Sequence, residues 1–433
     1  ILQARDYWSE GYTGSSIDVA LIDSGVVPVN GLTWPGKVIN GPDLSFESQS
    51  EDFRYLDTFG HGTHMAGIIA GHDDGASIDD GQAFLGVAPD ARIVSVKVAG
   101  HDGATDVSQV IAAIDWVVQH RNDDGMNIRV LNLSFGTDSY QPYVFDPLAH
   151  AVEQAWKAGI VVVVAAGNDG NDAPLRNPAT NPFVIAVGAS NSGNTRPNIK
   201  SVMDFSNCGT THRHVDVVAP GESIASLAAP GSSAHDENPQ SFVGGRYMLG
   251  SGTSQSAAFI SGAAALILDK SPEATPDQVK SLLMREASSL KKVSSTCAGA
   301  GLPNLEHVNH LVDKRGLPKT TQRELPSNGL GSLELARGSD HIELDGVVLK
   351  GEQDIFGQPW DAWTWAPAAA AGTSWSGGDW NGTSWSGTSW SGTSWSGLSW
   401  SGTSWSGLSW SGLSWSGLSW SDKSWSGLSW SGL

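Results

Sequence analysis

The stretch Ile17-Asp18-Val19-Ala20-Leu21-Ile22-Asp23-Ser24-Gly25 decides the fold, because a mostly apolar run ends on an acid and a turn. Apolar residues at successive positions are typical of a strand that is buried on both faces of a parallel sheet. Runs of this kind recur along the first 311 residues. We predict strands at 17–22, 92–98, 129–134, 160–165 and 184–187.

Helical patterns fall between these strands. Residues 106–119 have apolar side chains three and four positions apart, and 149–158 and 278–286 are similar. Alternation of strands and helices predicts an α/β fold, a doubly wound and mostly parallel sheet with helices on both faces.

The chain divides into three parts by composition. Residues 1–311 form the α/β domain, and 312–372 are predicted to be a linker with a small β-rich segment. Within that linker, 331–349 has short strands with a hairpin turn at Asp345-Gly346, and 368–371 is a connection of small residues. Residues 373–433 are a tail of the five-residue repeat W-S-G-x-S.

The tail holds twelve of the chain's 19 Trp residues, from Trp375 to Trp430 at unbroken spacing. A square β-solenoid with five residues per face would give every Trp an equivalent position, whereas a flexible low-complexity tail is the alternative. An open apolar end invites stacking. We therefore expect the tail to mediate self-association, surface attachment or polysaccharide binding.

Charge and cysteine content limit the function classes. A net charge of −20 argues against nucleic acid or an anionic membrane as partner, and no run of 18 apolar residues exists. Cys208 and Cys297 either pair or remain two separate thiols. The first ten residues lack a signal-peptide pattern, and we expect Ile1 to be a processed end.

Three short motifs carry residue types that act together in nucleophilic catalysis. Asp23 ends an apolar strand in Asp-Ser-Gly, His61 lies in Gly-His-Gly-Thr-His-Met-Ala-Gly, and Ser254 lies in Gly-Thr-Ser-Gln-Ser-Ala-Ala. Each motif alone is an ordinary turn or helix cap. Together they supply an orienting acid, a base and a nucleophile in the order Asp, His, Ser.

On these motifs, residues 8–311 resemble the subtilisin-like (subtilase) family of serine proteases. The resemblance implies that Asp23 orients His61, that His61 takes the proton of Ser254, and that Ser254 forms the acyl-enzyme. Asn168, in Ala165-Ala166-Gly167-Asn168, matches the family's oxyanion-hole segment. His64 is expected to be structural.

The resemblance also implies where a peptide would bind. The segment Ser134-Phe135-Gly136 matches the family's edge segment, to which substrate adds as a strand. Ala165, Ala166 and Gly167 would form a wall of the pocket for the residue before the scissile bond (P1). Arg176 lies either near the base of that pocket, where it would favour acidic residues, or on the solvated surface.

Two departures from the family pattern bear on the site. Gln255 replaces the Met that commonly follows the nucleophile, so we expect tolerance of oxidants. The family's strong calcium ligand is not recognisable, and the metal ligands are unknown. The loop at 72–82 either holds Ca²⁺ through its clustered carboxylates or is a plain acidic loop; these carboxylates belong to Asp73, Asp74, Asp79 and Asp80.

The sequence therefore predicts a secreted serine endopeptidase that acts on proteins or peptides, needs no cofactor for its chemistry, and is extracellular or attached to a cell surface. The alternative is a structural or adhesive, filament-forming protein on an inactive protease scaffold.

Overall fold

A parallel sheet of seven strands forms the centre of the molecule. The computed structural model describes residues 2–191, 201–339, 341–344, 347–355, 358–376, 379–380 and 383–384. The strands of the sheet lie in the order β2-β3-β1-β4-β5-β6-β7, and all neighbouring pairs are parallel. They are β1 (Asp18–Asp23), β2 (Val38–Asp43), β3 (Arg92–Lys97), β4 (Ile128–Leu133), β5 (Val161–Ala165), β6 (Ile185–Ser190) and β7 (Val217–Pro220).

Helices cover the sheet because most of its strand residues are apolar and buried. Helix α2 packs against α6, which also lies along β4 to β7, while α3 packs against α4. The helices are α1 (Arg5–Ser9), α2 (His61–Ala70), α3 (Val107–His120), α4 (Pro147–Lys157), α5 (Ser233–Glu237), α6 (Thr253–Lys270), α7 (Pro276–Arg285), α8 (Ser295–Ala298), α9 (Leu305–Arg315), α10 (Leu333–Arg337) and α11 (Ala362–Ala371). Short 3₁₀ turns lie at Phe46–Gln49, Asp123–Gly125 and Pro239–Ser241.

The five predicted strands and three predicted helices are confirmed to within a few residues. The periodicity did not predict β2 and β7, because β2 contains polar residues and β7 has only four residues. The remaining strands form small antiparallel sheets. They are β8 (Ile224–Leu227), β9 (Phe242–Val243), β10 (Tyr247–Gly250), β11 (Ala287–Ser288), β12 (Leu302–Pro303), β13 (Glu343–Leu344), β14 (Val347–Val348), β15 (Trp375–Ser376), β16 (Asp379–Trp380) and β17 (Thr383–Ser384).

The segment predicted as a linker, 312–372, instead lies on the domain in most of its length. Helix α9 continues to Arg315, beyond the predicted boundary at 311. The predicted hairpin is confirmed, since β13 pairs with β14. The residues before it were wrongly predicted as strand and form α10, because the Ser332 side chain caps the helix and Gly338 ends it.

The small-residue connection at 368–371 was also a wrong prediction, because it is the last turn of α11. Trp365 of this helix is buried and donates from its indole Nε1 to Asp115 Oδ2 at 2.7 Å. His150 of α4 contacts the carbonyl oxygen of Ala366 at 3.2 Å. Apolar side chains and these bonds attach the segment to α3 and α4, and the sequence pattern did not show them.

Few residues of the repeat tail are described. Trp375 is buried and lies at α3, where Gln119 Nε2 donates to Ser374 Oγ at 3.2 Å. In the described part, β15, β16 and β17 form antiparallel pairs. The square β-solenoid was predicted for the whole tail, 373–433. The described part of the first repeats is instead a short antiparallel meander, and the rest of the predicted solenoid lies outside the described residues.

Cys208 and Cys297 form a disulfide bond, which decides between the two interpretations of these residues. None of the described helices combines the length and the apolar character that a membrane crossing requires.

Candidate active site

Asp23 and His61 meet at the carboxyl end of the sheet. Asp23 is the last residue of β1, and His61 is the first of α2, whose preceding residue Gly60 has a φ of 106°. His61 Nδ1 lies 2.8 Å and 2.9 Å from the two carboxylate oxygens of Asp23. Because a carboxylate only accepts hydrogen bonds, Nδ1 carries the proton and Nε2 of the neutral ring is the basic nitrogen.

A second carboxylate, which sequence reasoning missed, supports this pair. Ser24 donates from its backbone N to Asp23 Oδ1 at 2.8 Å and from its hydroxyl to Asp57 Oδ1 at 2.7 Å. Asp57 also accepts from the backbone N of Gly60 at 2.6 Å and of Thr63 at 2.7 Å. Burial raises the pKa of Asp57, although these hydrogen bonds oppose the shift. An Asp four residues before a helix-opening His was the available signal.

His64 differs from His61 in all its surroundings. Its Nε2 lies 3.1 Å from the carbonyl oxygen of Met248 and 3.2 Å from that of Ile224, so Nε2 is the protonated nitrogen. Burial lowers the pKa of His64 to about 4. This imidazole is neutral and joins α2 to β8 and β10, which agrees with the expected structural role.

Ser254 is the second residue of α6, a helix of 18 residues that begins after Gly252. A Ser at this position lies beside backbone N–H groups that have no partner within the helix, where the helix dipole favours negative charge. The backbone N of Thr253 donates to Asn168 in the loop after β5, so the start of α6 lies at the carboxyl edge of the sheet, where Asp23 ends β1 and pairs with His61.

Asn168 approaches the start of α6 from the loop after β5. Its side-chain Oδ1 accepts from the backbone N of Thr253 at 2.9 Å and from the Thr253 hydroxyl at 3.1 Å. These bonds orient the amide, and its buried Nδ2 has no hydrogen-bond partner among the residues that the structure describes. A fixed donor without a protein partner, next to a candidate nucleophile, can stabilise a developing oxyanion.

The two segments predicted to bind substrate are joined by Arg176. Its backbone N donates to the carbonyl oxygen of Ala166 at 3.0 Å, while Asn177 and Thr137 exchange both backbone bonds. A Cβ atom added to Gly136 would lie 2.7 Å from Arg176 Cβ, and one added to Gly167 would lie 2.7 Å from Arg176 Cγ. Arg176 therefore lies between the segments 134–136 and 165–167, not on the open surface.

The charge of Arg176 is balanced by Asp169. Arg176 Nε and Nη2 lie 2.7 Å and 2.5 Å from the two Asp169 carboxylate oxygens, and the Arg176 side chain is 14% exposed. Asn207 Nδ2 donates to Asp169 Oδ2 at 2.8 Å. Burial would raise the pKa of Asp169, but the bonds and charge of Arg176 outweigh it and lower the pKa.

Gln255 and the carboxylates of the acidic loop have different surroundings. The Gln255 side chain is buried beside Ser254, and within the described chain neither of its polar atoms has a partner. In the acidic loop, Asp73 pairs with Arg246 at 2.6 Å and Asp74 accepts from Thr33. The described residues include no cluster of three or more His, Cys, Asp or Glu side chains that would suit a metal ion.

Comparison with known proteins gives a family match and several similar proteases. The subtilase family model matches residues 14–319. The chain is 37% identical to the serine protease AprX of Bacillus subtilis over 303 residues. The aligned residues are 68% of this chain and 66% of that protein. It is 36% identical over 308 residues to subtilisin of Bacillus pumilus, covering 70% of this chain and 95% of that protein.

A third relative is the minor extracellular protease Epr of Bacillus subtilis. It is 33% identical over 279 residues, which are 64% of this chain and 36% of that protein. The family match covers most of the chain and includes Asp23, His61, Asn168 and Ser254. The chain belongs to the subtilase family.

Proposed function

We propose that this protein is a serine endopeptidase that cleaves protein or peptide substrates through an acyl-enzyme on Ser254. The observation that carries the proposal is the buried Asp23–His61 pair at the end of the sheet where α6 presents Ser254. His61 Nε2 takes the hydroxyl proton as Ser254 attacks the scissile carbonyl, and later gives it to the leaving amine.

The residues of the chain supply the charge stabilisation that this chemistry needs. Asp23 stabilises the imidazolium that forms on His61, while Asn168 Nδ2 and the backbone N–H of Ser254 stabilise the tetrahedral oxyanion. The proposed reaction consists of proton transfers and acyl transfer, so it requires no cofactor. A structural Ca²⁺ stays a proposal of its own, to be tested by thermal unfolding with and without a chelator.

Casein digestion by the wild type, Ser254→Ala and Ser256→Ala tests the proposal. Ser256 is a matched control, because it lies two residues along α6 and its hydroxyl donates to the carbonyl oxygen of Ala219 at 2.9 Å. We expect Ser254→Ala to lose activity by about 10⁶-fold, as loss of the nucleophile does in subtilisin, and Ser256→Ala to retain it. An inactive wild type that is folded would favour the structural or adhesive alternative.

We further propose that the P1 pocket prefers uncharged side chains. Arg176 lies between the pocket walls, but its bidentate pairing with Asp169 leaves the pair neutral. Peptides that differ only in a P1 Leu, Glu or Lys test this preference, and Leu should be cleaved fastest. Asp169→Asn leaves the Arg176 charge unbalanced and should increase the relative rate for Glu.

We infer that the enzyme is secreted, extracellular or bound to a cell surface. The Cys208–Cys297 disulfide supports this location, because disulfides persist in oxidising compartments. One relative is named an extracellular protease. Detection of the protein in culture medium against the cell fraction tests the proposal.

The repeat tail is proposed to mediate self-association or attachment, including polysaccharide contact. Its root is fixed to the domain through Trp375, and twelve regularly spaced Trp residues offer many equal contacts. Deletion of 385–433 keeps this root. If full-length and truncated proteins both elute as monomers on size exclusion, self-association is excluded, and pull-down on insoluble polysaccharide then tests attachment.

A further inference from the structure

The segment after the family match binds loops at the end of the sheet that holds the candidate active site. Helix α10 lies outside residues 14–319 and packs against α3 and α4. The Ala336 carbonyl oxygen accepts from Thr137 Oγ1 at 2.7 Å, and the next residue, Arg337, lies 2.7 Å through Nε from Asp106 Oδ2. Two successive residues thus bind two different loops.

These two loops lie on either side of the catalytic strand. Asp106 belongs to the loop after β3, and Thr137 belongs to the loop after β4, while β1 lies between these strands and ends at Asp23. In an open α/β sheet, ligands bind in the crevice at the carboxyl ends of the strands, where the strand order reverses. Helix α10 therefore spans the two sides of that crevice.

Thr137 directly follows the segment to which the substrate is expected to add. Ser134 follows Leu133, which pairs with Ile22, and Asp23 is the next residue of β1. The segment 134–136 thus leaves the sheet beside the catalytic carboxylate and ends directly at Thr137. A peptide that adds to this segment with its P1 side chain toward 165–167 would run from Ser254 toward Thr137 and α10.

Further bonds hold the residues that follow α10 to the same two regions of the domain. Ser339 donates from its backbone N to Asp138 Oδ1 at 2.7 Å and from its hydroxyl to Asp138 Oδ2 at 2.6 Å. On the other side, the backbone N of Ile355 donates to Ser108 Oγ at 2.9 Å. The returning chain at 351–355 is therefore attached to the first turn of α3, next to Asp106.

Arg337 is the central anchor. Its side chain is fully buried, and it donates to the carbonyl oxygens of Gly351, at 2.8 Å, and Gln353 in addition to Asp106. Asp106 also caps α3 through its bond from the Ser108 backbone N at 2.8 Å. A buried ion pair adds little net stability, because desolvation offsets its attraction, but its directional bonds fix geometry.

We propose that α10 is a specificity element of the substrate cleft, with Arg337 as its positioning residue. By joining Thr137 to Asp106, it fixes the separation of the loops between which the peptide on the N-terminal side of the scissile bond lies. The proposal rests on the proposed endopeptidase function. It assigns a role in substrate binding to a segment outside the family match.

The test compares two substrates that have the same leucine at P1 but differ in length. A blocked leucine ester reports on the catalytic residues alone, and a blocked four-residue peptide amide ending in leucine also occupies the cleft. Arg337→Gln should raise KM for the peptide and lower its kcat/KM about tenfold, because small misplacements of binding elements are costly. The ester kcat should stay within about twofold of the wild type.

Arg92→Gln is the matched control. Arg92 pairs with Asp18 through Nε at 2.6 Å and Nη2 at 2.7 Å, but this pair lies at the opposite end of β1 and β3. The ratio of peptide to ester kcat/KM should not change in this variant. A ratio that falls equally in Arg92→Gln and Arg337→Gln would show a general loss of stability and would overturn the proposal.

Ser339→Ala keeps the proposal testable if Arg337→Gln does not fold. It removes one exposed bond to Asp138 and should lower the peptide-to-ester ratio about twofold. An unchanged ratio in the folded variants overturns the specificity role while leaving the endopeptidase intact. Absence of ester hydrolysis in the wild type would instead contradict the proposed function.

Discussion

Strand β1 begins and ends on a buried aspartate, and the two carboxylates have different partners. Asp18 binds the permanent cation of Arg92 through two bonds and also accepts from the Asn127 backbone N at 2.6 Å. Asp23 binds Nδ1 of the His61 imidazole, the proposed general base. The same strand thus has a structural ion pair at one end and the proposed catalytic pair at the other.

The largest expected difference between the two ends is in turnover. Asp23→Asn should lower kcat by about 10⁴-fold, because the amide no longer selects the His61 tautomer that has a basic Nε2. Asp18→Asn should leave kcat within about twofold and lower the free energy of unfolding by about 1–3 kcal/mol. Steady-state kinetics and urea unfolding measure the two effects.

The unfolding loss for Asp18→Asn should lie below that of a fully buried pair, because the Arg92 side chain is 36% exposed and keeps contact with water. If Asp18→Asn lost turnover as strongly as Asp23→Asn, the proposed separation of the two roles along β1 would be wrong.

A smaller effect is expected for the oxyanion donor. Asn168→Ala should lower kcat by about 10²–10³-fold with KM little changed, because its Nδ2 would bond only to the transition state. Asn181→Ala is the control, since the Asn181 amide donates to the Ala149 carbonyl oxygen at 2.8 Å and accepts from Phe183. Asn181→Ala should change stability, and an equal loss of kcat in both variants would remove the special role of Asn168.

The smallest expected effect is a pH dependence of stability that comes from His64, the second histidine of α2. His64 has a pKa of about 4 in the folded protein and about 6.5 when unfolded. As the pH falls below 6.5, the unfolded state binds a proton that the folded state does not, so stability is lost until about pH 4. This term reaches about 2–3 kcal/mol at pH 4.5.

His64→Gln removes that pH term, because a glutamine side chain does not titrate. The comparison is made in a Ser254→Ala background, which prevents self-digestion. The contribution of His64 is the difference in unfolding free energy between Ser254→Ala and the double variant that also carries His64→Gln. This difference should shrink by about 2–3 kcal/mol from pH 7.5 to 4.5. A difference that stays constant with pH would show that His64 titrates alike in both states.

The sequence predicted the sheet well because its strands depend on local patterns, and short local motifs also pointed to the candidate catalytic residues. Buried parallel strands are continuous apolar runs, and Asp23, His61 and Ser254 each lie in a short motif at the start or end of such an element. The sequence left the position of Arg176 open, because it depends on how the loop after β5 folds back on Gly136.

The C-terminal segment was predicted less well because long-range contacts determine its structure. The burial of the Arg337 charge depends on Asp106, which lies 231 residues earlier and accepts a hydrogen bond from its guanidinium. Asp57 was missed because its role depends on Ser24 and on the start of α2. The contact between Arg337 and Asp106 follows no periodicity or spacing of the sequence, and the four-residue spacing between Asp57 and His61 indicates a role only once the start of α2 is known.

The most direct test of the separate roles of Asp18 and Asp23 is labelling with a fluorophosphonate, followed by peptide mapping of the modified serine. This reagent requires a serine that an adjacent base activates. We predict one adduct, at Ser254, formed at equal rates in the wild type and Asp18→Asn and far more slowly in Asp23→Asn. Three results would contradict these roles of Ser254, Asp23 and Asp18. They are an adduct at another serine, no adduct in the folded wild type, and equal rates in Asp23→Asn and the wild type.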